Sequence, residues 1–318
     1  MDPAVWQHHA LINRLQTLLL LLVMMGLLAL LGELLWGPDS IIMLIGMVAL
    51  LFFINPSLSP NLIMRMYQAE PVSAQQAPLL FSMLDTLSRR AQLEQGPRLY
   101  YIPSSMVNAF AVGHRNNAAI AITDGLLRKL DEEEIYGVLA HEISHIRSND
   151  MRVMGLADMF SRLTQVLSLT GQLLFLVNLP LLVFGTAIIS WWAIGILIMA
   201  PNINALAQLG LSRTREYHAD LNAARLTGHP QALARALVKI EQLQGGWIER
   251  LTMPGRNIPE PSLLRTHPPT EERVKRLLEL RLPPPSNEYD SALSGRELHH
   301  HKRPIAKKPS HRLHGLWY

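Results

Sequence analysis

The chain has 318 residues, 49% of them hydrophobic and 17% charged, with a net charge of +4 and no cysteine. So apolar a composition excludes an ordinary soluble protein of this length, and a surplus of four positive charges is too small to point to nucleic acid. Without cysteine there is no disulfide framework, and any metal site must be built from histidine and carboxylate.

The first long apolar run, Leu15 to Trp36, carries one charge, Glu33. About twenty such residues span a bilayer as a helix. No small-x-small cleavage site follows, so the segment is expected to be retained. After the turn at Gly37-Pro38-Asp39-Ser40, Ile41 to Ile54 reads as a second span; its shortness also suits a re-entrant or interfacial segment. Ser73 to Gln95 predicts an amphipathic helix with Leu80, Met83, Leu84 and Leu87 on one face, ended by Gly96-Pro97. Leu99 to Ile102 predicts a short strand. Phe110 to Val112 and Ala118 to Thr123 predict a hairpin around Gly113 to Asn117, its second strand at the edge of the sheet. His114 in that turn reads as a solvated residue. An open edge beside a catalytic helix can add an extended peptide as a further strand, which suits unfolded substrates.

Asp131 to Glu134 place acidic residues in the first turn of the next helix, where they favour its dipole. Within it, Ile135, Val138, Leu139, Ile143 and Ile146 recur at three- and four-residue intervals and predict a core-facing stripe. His141-Glu142-Ile143-Ser144-His145 reads H-E-x-x-H. Histidines four apart are neighbours on a helix and can reach one metal ion, with Glu142 beside a water on that ion. The spacing also suits two solvated helix histidines.

Leu163 to Leu211 contains no charged residue and has room for two helices, with a turn near Asn178-Leu179-Pro180 or Gly185. Ser212 to Ala224 follows as a helix whose small residues Ala219, Ala223 and Ala224 permit close packing. Glu216 and Asp220 share one face: Glu216 is the candidate third ligand, and Asp220 can accept the outer N–H of a ligand histidine. A solvated charged face is the other reading of that pair. His218 points elsewhere. Gln231 to Leu243 and Thr270 to Leu280 predict two more amphipathic helices, separated by a Gly- and Pro-containing loop. From Pro283 the pattern gives way to a basic tail suited to anionic lipid, in which His299 to His301 lack a preorganised geometry.

Basic residues flank the start and finish of both apolar blocks: Arg14 and Arg65 for the first, then Arg147, Arg152, Arg162, Arg213 and Arg215 for the second. The outer turns hold none. Both hairpins should therefore begin and end in the cytoplasm.

HEISH, then SRTREYHAD after the second apolar block, together with Asn108-Ala109-Phe110-Ala111-Val112-Gly113 and Thr266-His267-Pro268-Pro269, resembles the HtpX-type family of membrane-bound gluzincin metallopeptidases, relatives of the CAAX prenyl endopeptidases. The resemblance covers residues 10 to 281. It implies His141, His145 and Glu216 as ligands of one zinc ion per chain and Glu142 as general base. It also implies Asn108 and His267 as groups that bind the scissile peptide or stabilise its oxyanion. The expected fold is an α+β membrane protein, mainly helical, with about four transmembrane helices and a zincin-like domain containing a small β-sheet. Its expected parts are an N-terminal transmembrane hairpin (1–63), a split metalloprotease domain (64–162 and 212–282), a second hairpin (163–211) and the tail (283–318). The expected function is hydrolysis of misfolded or membrane proteins at the cytoplasmic face of a bacterial inner membrane. A membrane scaffold or pseudoprotease with a structural zinc is the alternative, and Glu142 discriminates against it.

Overall fold

The computed structural model describes residues 3–40, 42, 44–46, 60–183, 190–243 and 269–280. Among the described residues the fold is mainly helical, with one small mixed sheet and three helices long and apolar enough to cross a membrane, within Arg14–Trp36, Asp150–Pro180 and Trp191–Thr227. The expected second span, Ile41 to Ile54, falls almost wholly outside the described residues, as do His267 and the basic tail.

The chain divides into two compact units. One is purely helical among the described residues. It comprises α1 (Pro3–Trp36) from Ala4, α6 (Asp150–Val183) from Arg152 and α7 (Trp191–Thr227) up to Arg215. Apolar side chains cannot tell lipid from one another, so small residues and polar contacts join such helices. Leu197 of α7 sits directly against Gly171 of α6. Ser161 donates to Gln208 at 2.8 Å and accepts from Asn204 at 3.0 Å. The Asn178-Leu179-Pro180 segment is helical here, which excludes it as the turn between α6 and α7; Gly185, the other candidate, lies outside the described residues.

The other unit carries the sheet. It contains α2 (Pro60–Met66), β1 (Glu70–Pro71), α3 (Pro78–Arg90), β2 (Arg98–Ile102), β3 (Ala109–His114), β4 (Asn117–Thr123), α4 (Asp124–Lys129), α5 (Glu132–Ser148), α8 (Pro230–Leu243) and α9 (Thr270–Glu279). The end of α7, from Glu216, also belongs to it. The strand order is β1-β2-β4-β3, with β2 parallel to β4 and the other pairs antiparallel. The hairpin is where the sequence placed it, but the edge is β3, not β4: β4 is held between β2 and β3. The parallel β2–β4 pairing, which no local pattern announces, moves β4 inward. Gly113 turns the hairpin with φ +97, a backbone region that favours glycine.

The α3 helix is shorter than expected at both ends. The Ser73 backbone N–H donates to Gln76 at 2.8 Å in a preceding turn, and Pro78 opens the helix. Gln92, at φ 56, stops it. The face Leu80, Met83, Leu84 and Leu87 is buried as predicted. It joins Ile120 and Ile122 of β4, Leu139, Ile143 and Ile146 of α5, and Leu233 of α8 in the main core. On the opposite side of the sheet, Met64 of α2 packs with Phe110, Val112 and Ala121. The sheet is thus covered on both faces, and α5 lies on the inner one. At Gly137 that helix comes so close to α8 that an added Cβ would stand 3.0 Å from the Leu233 nitrogen.

Candidate metal centre

The start of α5 is fixed by a capping box. Asp131 accepts from the Glu134 N–H, and the Glu134 carboxylate accepts from the Asp131 N–H, each at 2.9 Å. Glu134 is fully buried and also bonds Lys239 of α8, at 2.7 Å. The core stripe then fixes the rotation of the helix, which leaves His141 and His145 together, Nε2 to Nε2 at 3.1 Å. Immediately after the second histidine the helix ends at Asn149, in the left-handed conformation at φ 53. That turn brings Asp150 back onto His145, Oδ2 to Nδ1 at 2.7 Å.

The C-terminal turns of α7 supply the carboxylates. Ala219, Ala223 and Ala224 are fully buried there and let the helix come close. Glu216 Oε2 lies 3.4 Å from His141 Nε2, and Glu216 Oε1 lies 3.6 Å from His145 Nε2. Asp220 Oδ1 lies 3.0 Å from His141 Nδ1. Each histidine therefore has a carboxylate on its Nδ1 and presents Nε2 inward, the usual arrangement around a metal. His218 bonds Asn222 and Ser148, away from this cluster.

His141, His145 and Glu216 each offer one ligand atom, all within 4.8 Å of one another. Bonds of about 2.0–2.1 Å around a tetrahedral zinc put neighbouring ligand atoms roughly 3.3–3.4 Å apart. The two Nε2 atoms stand 3.1 Å apart, and Glu216 brings one oxygen to 3.4 Å from the first and the other oxygen to 3.6 Å from the second, so the carboxylate is within reach of an ion held between the histidines. Three protein ligands would leave one position of a tetrahedral ion open, as catalytic sites do and closed structural sites do not.

The electrostatics are those of a pair sharing one charge. Burial opposes protonation of His141, but hydrogen bonds and charge from Asp220 and Glu216 outweigh it and hold its pKa well above the usual histidine value. Burial, then the charge on His141, press His145 below that value. Burial also pushes the Glu142 carboxyl up, against the lowering pull of His141 and His145. The Glu142 carboxylate accepts a hydrogen bond from the backbone of Ala111, on the edge strand β3.

Two residues of the site escaped the sequence reading. Asp150 carried a signal in its place, one residue beyond a helix-ending Asn. The other is Arg273 on α9, only 4% exposed, whose Nε and Nη2 grip both oxygens of Asp220 at 2.8 and 2.7 Å. Its signal was an arginine four residues before Leu277, on the buried face of an amphipathic helix. Asn108 stands just before β3, half-buried; its backbone N–H donates to Thr123 Oγ1 at 3.0 Å and its carbonyl accepts from that hydroxyl at 2.8 Å. No hydrogen bond or ion pair joins it to the cluster among the described residues.

Residues 74–281 match Peptidase family M48. The chain belongs to that family. This M48 chain is 36% identical over 302 residues to a protease HtpX homolog of Acaryochloris marina, covering 84% of this chain and 94% of that protein. It is 35% identical over 283 residues to the protease HtpX homolog of Pyrococcus furiosus, covering 82% and 94%. Among solved structures, S. mikatae Ste24p matches with a TM-score of 0.41 and 21% identity, over 85% of this chain and 66% of that one. Family and relatives together make it a membrane metalloprotease.

Proposed function

We propose that this M48 peptidase is a zinc-dependent endopeptidase acting on unfolded or membrane proteins at the cytoplasmic face of a bacterial inner membrane, with Glu142 as its general base. The observation that carries the reading is the place of Glu142. It adjoins two histidines and a carboxylate spaced for one ion, and it is bonded to the edge strand that a substrate would join.

When bound by His141, His145 and Glu216, the ion would supply Lewis acidity, lowering the pKa of a water and polarising the scissile carbonyl. Glu142 takes a proton from the attacking water and returns it to the leaving amine. Burial raises its pKa, which brings it nearer the operating pH and makes it a better proton shuttle. Asp220 and Asp150 hold the histidine rings in the tautomer that offers Nε2. The strand β3 binds the main chain of an extended peptide, a mode tolerant of sequence. Asn108 at the head of that strand and His267 donate to the substrate carbonyl or oxyanion.

The membrane part of the proposal has four spans in two hairpins, 1–63 and 163–211. The split peptidase domain (64–162 and 212–282) lies on the cytoplasmic side, and the basic tail 283–318 lies against anionic lipid.

Two experiments test this reading. Protein purified in detergent should contain about one zinc per chain and cleave an unfolded polypeptide, and a chelator should abolish cleavage until zinc is restored. Cleavage that survives complete metal removal would overturn it. For topology, the chain has no native cysteine, so single cysteines report cleanly. In intact cells a label at Asn117, in the hairpin, should be shielded from an impermeant reagent. One at Asp39, beyond the first span, should react. Reaction at Asn117 would put the peptidase domain on the other face.

A further inference from the structure

We infer that Arg273 is a positioning residue that sets how Glu216 binds the ion: its guanidinium occupies one carboxylate oxygen, leaving the other as the single ligand atom. The inference rests on the reading of His141, His145 and Glu216 as ligands and goes beyond it, to the number of positions left for water and substrate.

The geometry is specific. Arg273 Nη1 lies 3.1 Å from Glu216 Oε2, while Nε and Nη2 hold the two oxygens of Asp220. Nη2 also comes within 3.5 Å of His141 Nε2, so the charge stands at the edge of the ligand cluster. All four side chains are less than a tenth exposed. Burying an arginine and two carboxylates seldom adds stability over apolar side chains of the same volume, so their presence points to a role other than holding the fold together. A planar guanidinium can span two carboxylates at once through five fixed donors, which a lysine ammonium cannot.

Two effects follow. With Oε2 engaged, Glu216 offers Oε1, on the His145 side, as its one ligand atom; bound through both oxygens, it would fill the open position that catalysis needs. With Asp220 locked from behind, its Oδ1 stays on His141 Nδ1, and that ring is kept in orientation. The helix that delivers the arginine is seated a second time by Arg276, 3.7 Å over the ring of Tyr217, the residue next to Glu216. Helix α9 thus locks the ligand set as well as adding to the core.

The test uses full-length protein in detergent, stripped of metal. Zinc affinity is read by competition with a chelator, coordination by the visible spectrum of cobalt-loaded protein, and folding by the Tm of the metal-free form. Wild type should give the intense bands of four-coordinate cobalt. Arg273→Lys keeps the charge and loses the fork. It should weaken zinc binding about 10–100-fold and give the fainter bands of a higher coordination number. An unchanged spectrum overturns the inference even if affinity falls, because general loosening of the core would lower affinity without changing the carboxylate's mode. If Arg273→Lys fails to fold, the double variant Asp220→Asn with Arg273→Gln removes both buried charges together, and the same spectral change is required of it. Should wild type take up neither zinc nor cobalt, the ligand assignment itself fails, a result distinct from wild type and variant binding metal identically.

Discussion

Glu142→Gln should retain wild-type metal content while peptide hydrolysis falls by about 10²–10⁴-fold, the usual contribution of a positioned acid–base group. Glutamine keeps the volume and an oxygen for the Ala111 N–H, so the fit of α5 against β3 is preserved. What it loses is the capacity to take a proton. Metal analysis of the same preparation used for the assay separates this outcome from misfolding. Full activity in the variant would remove Glu142 from the mechanism.

Glu216→Ala should lower metal occupancy and activity together, because two imidazoles alone make a poor site. It should also lower the Tm of the metal-free protein. Arg273 would lose one of its two carboxylates and keep a buried charge only partly compensated, and breaking such a pair costs several kcal/mol, about 3–5 when a partner is removed outright. Two turns of helix on either side stay as they are, so His218→Ala is the matched control. His218 bonds Asn222 and Ser148, and its loss should leave metal content and activity near wild type. Metal lost from His218→Ala and kept in Glu216→Ala would mean that the other side chain is the ligand.

The parts of the fold that sequence made legible are those governed by local periodicity. The α5 stripe, the face of α3 and the hairpin all follow from apolar spacing of 3.6 or 2 and from turn residues nearby. The candidate cluster was legible for the same reason: His141 and His145, and again Glu216 and Asp220, are neighbours on single helices. What stayed hidden depends on partners distant in sequence. The β2–β4 pairing skips over β3 and reverses which strand is the edge, although the burial of β4 from Ala118 through Thr123 shows what its apolar run meant. Arg273 looked like one more charge on an amphipathic helix because its partners lie on α7. The length of α3 was misjudged since Leu80 to Leu87 fixes the face but not the ends, which Pro78 and Gln92 set.

The proposed ligands come from helices on either side of α6, and this ordering has a consequence for biosynthesis. His141 and His145 leave the ribosome first; all of α6 and most of α7 must then be made before Glu216 exists, and Arg273 follows later still. A nascent chain stopped anywhere in that interval owns two histidines and no third ligand. With that ligand set, metal capture would be a late event, coupled to completion of the two long helices and to the return of Glu216 beside α5. A protease is itself unfolded polypeptide while being made, and with the proposed ligand set the order of its own residues keeps it inert until that stage has passed.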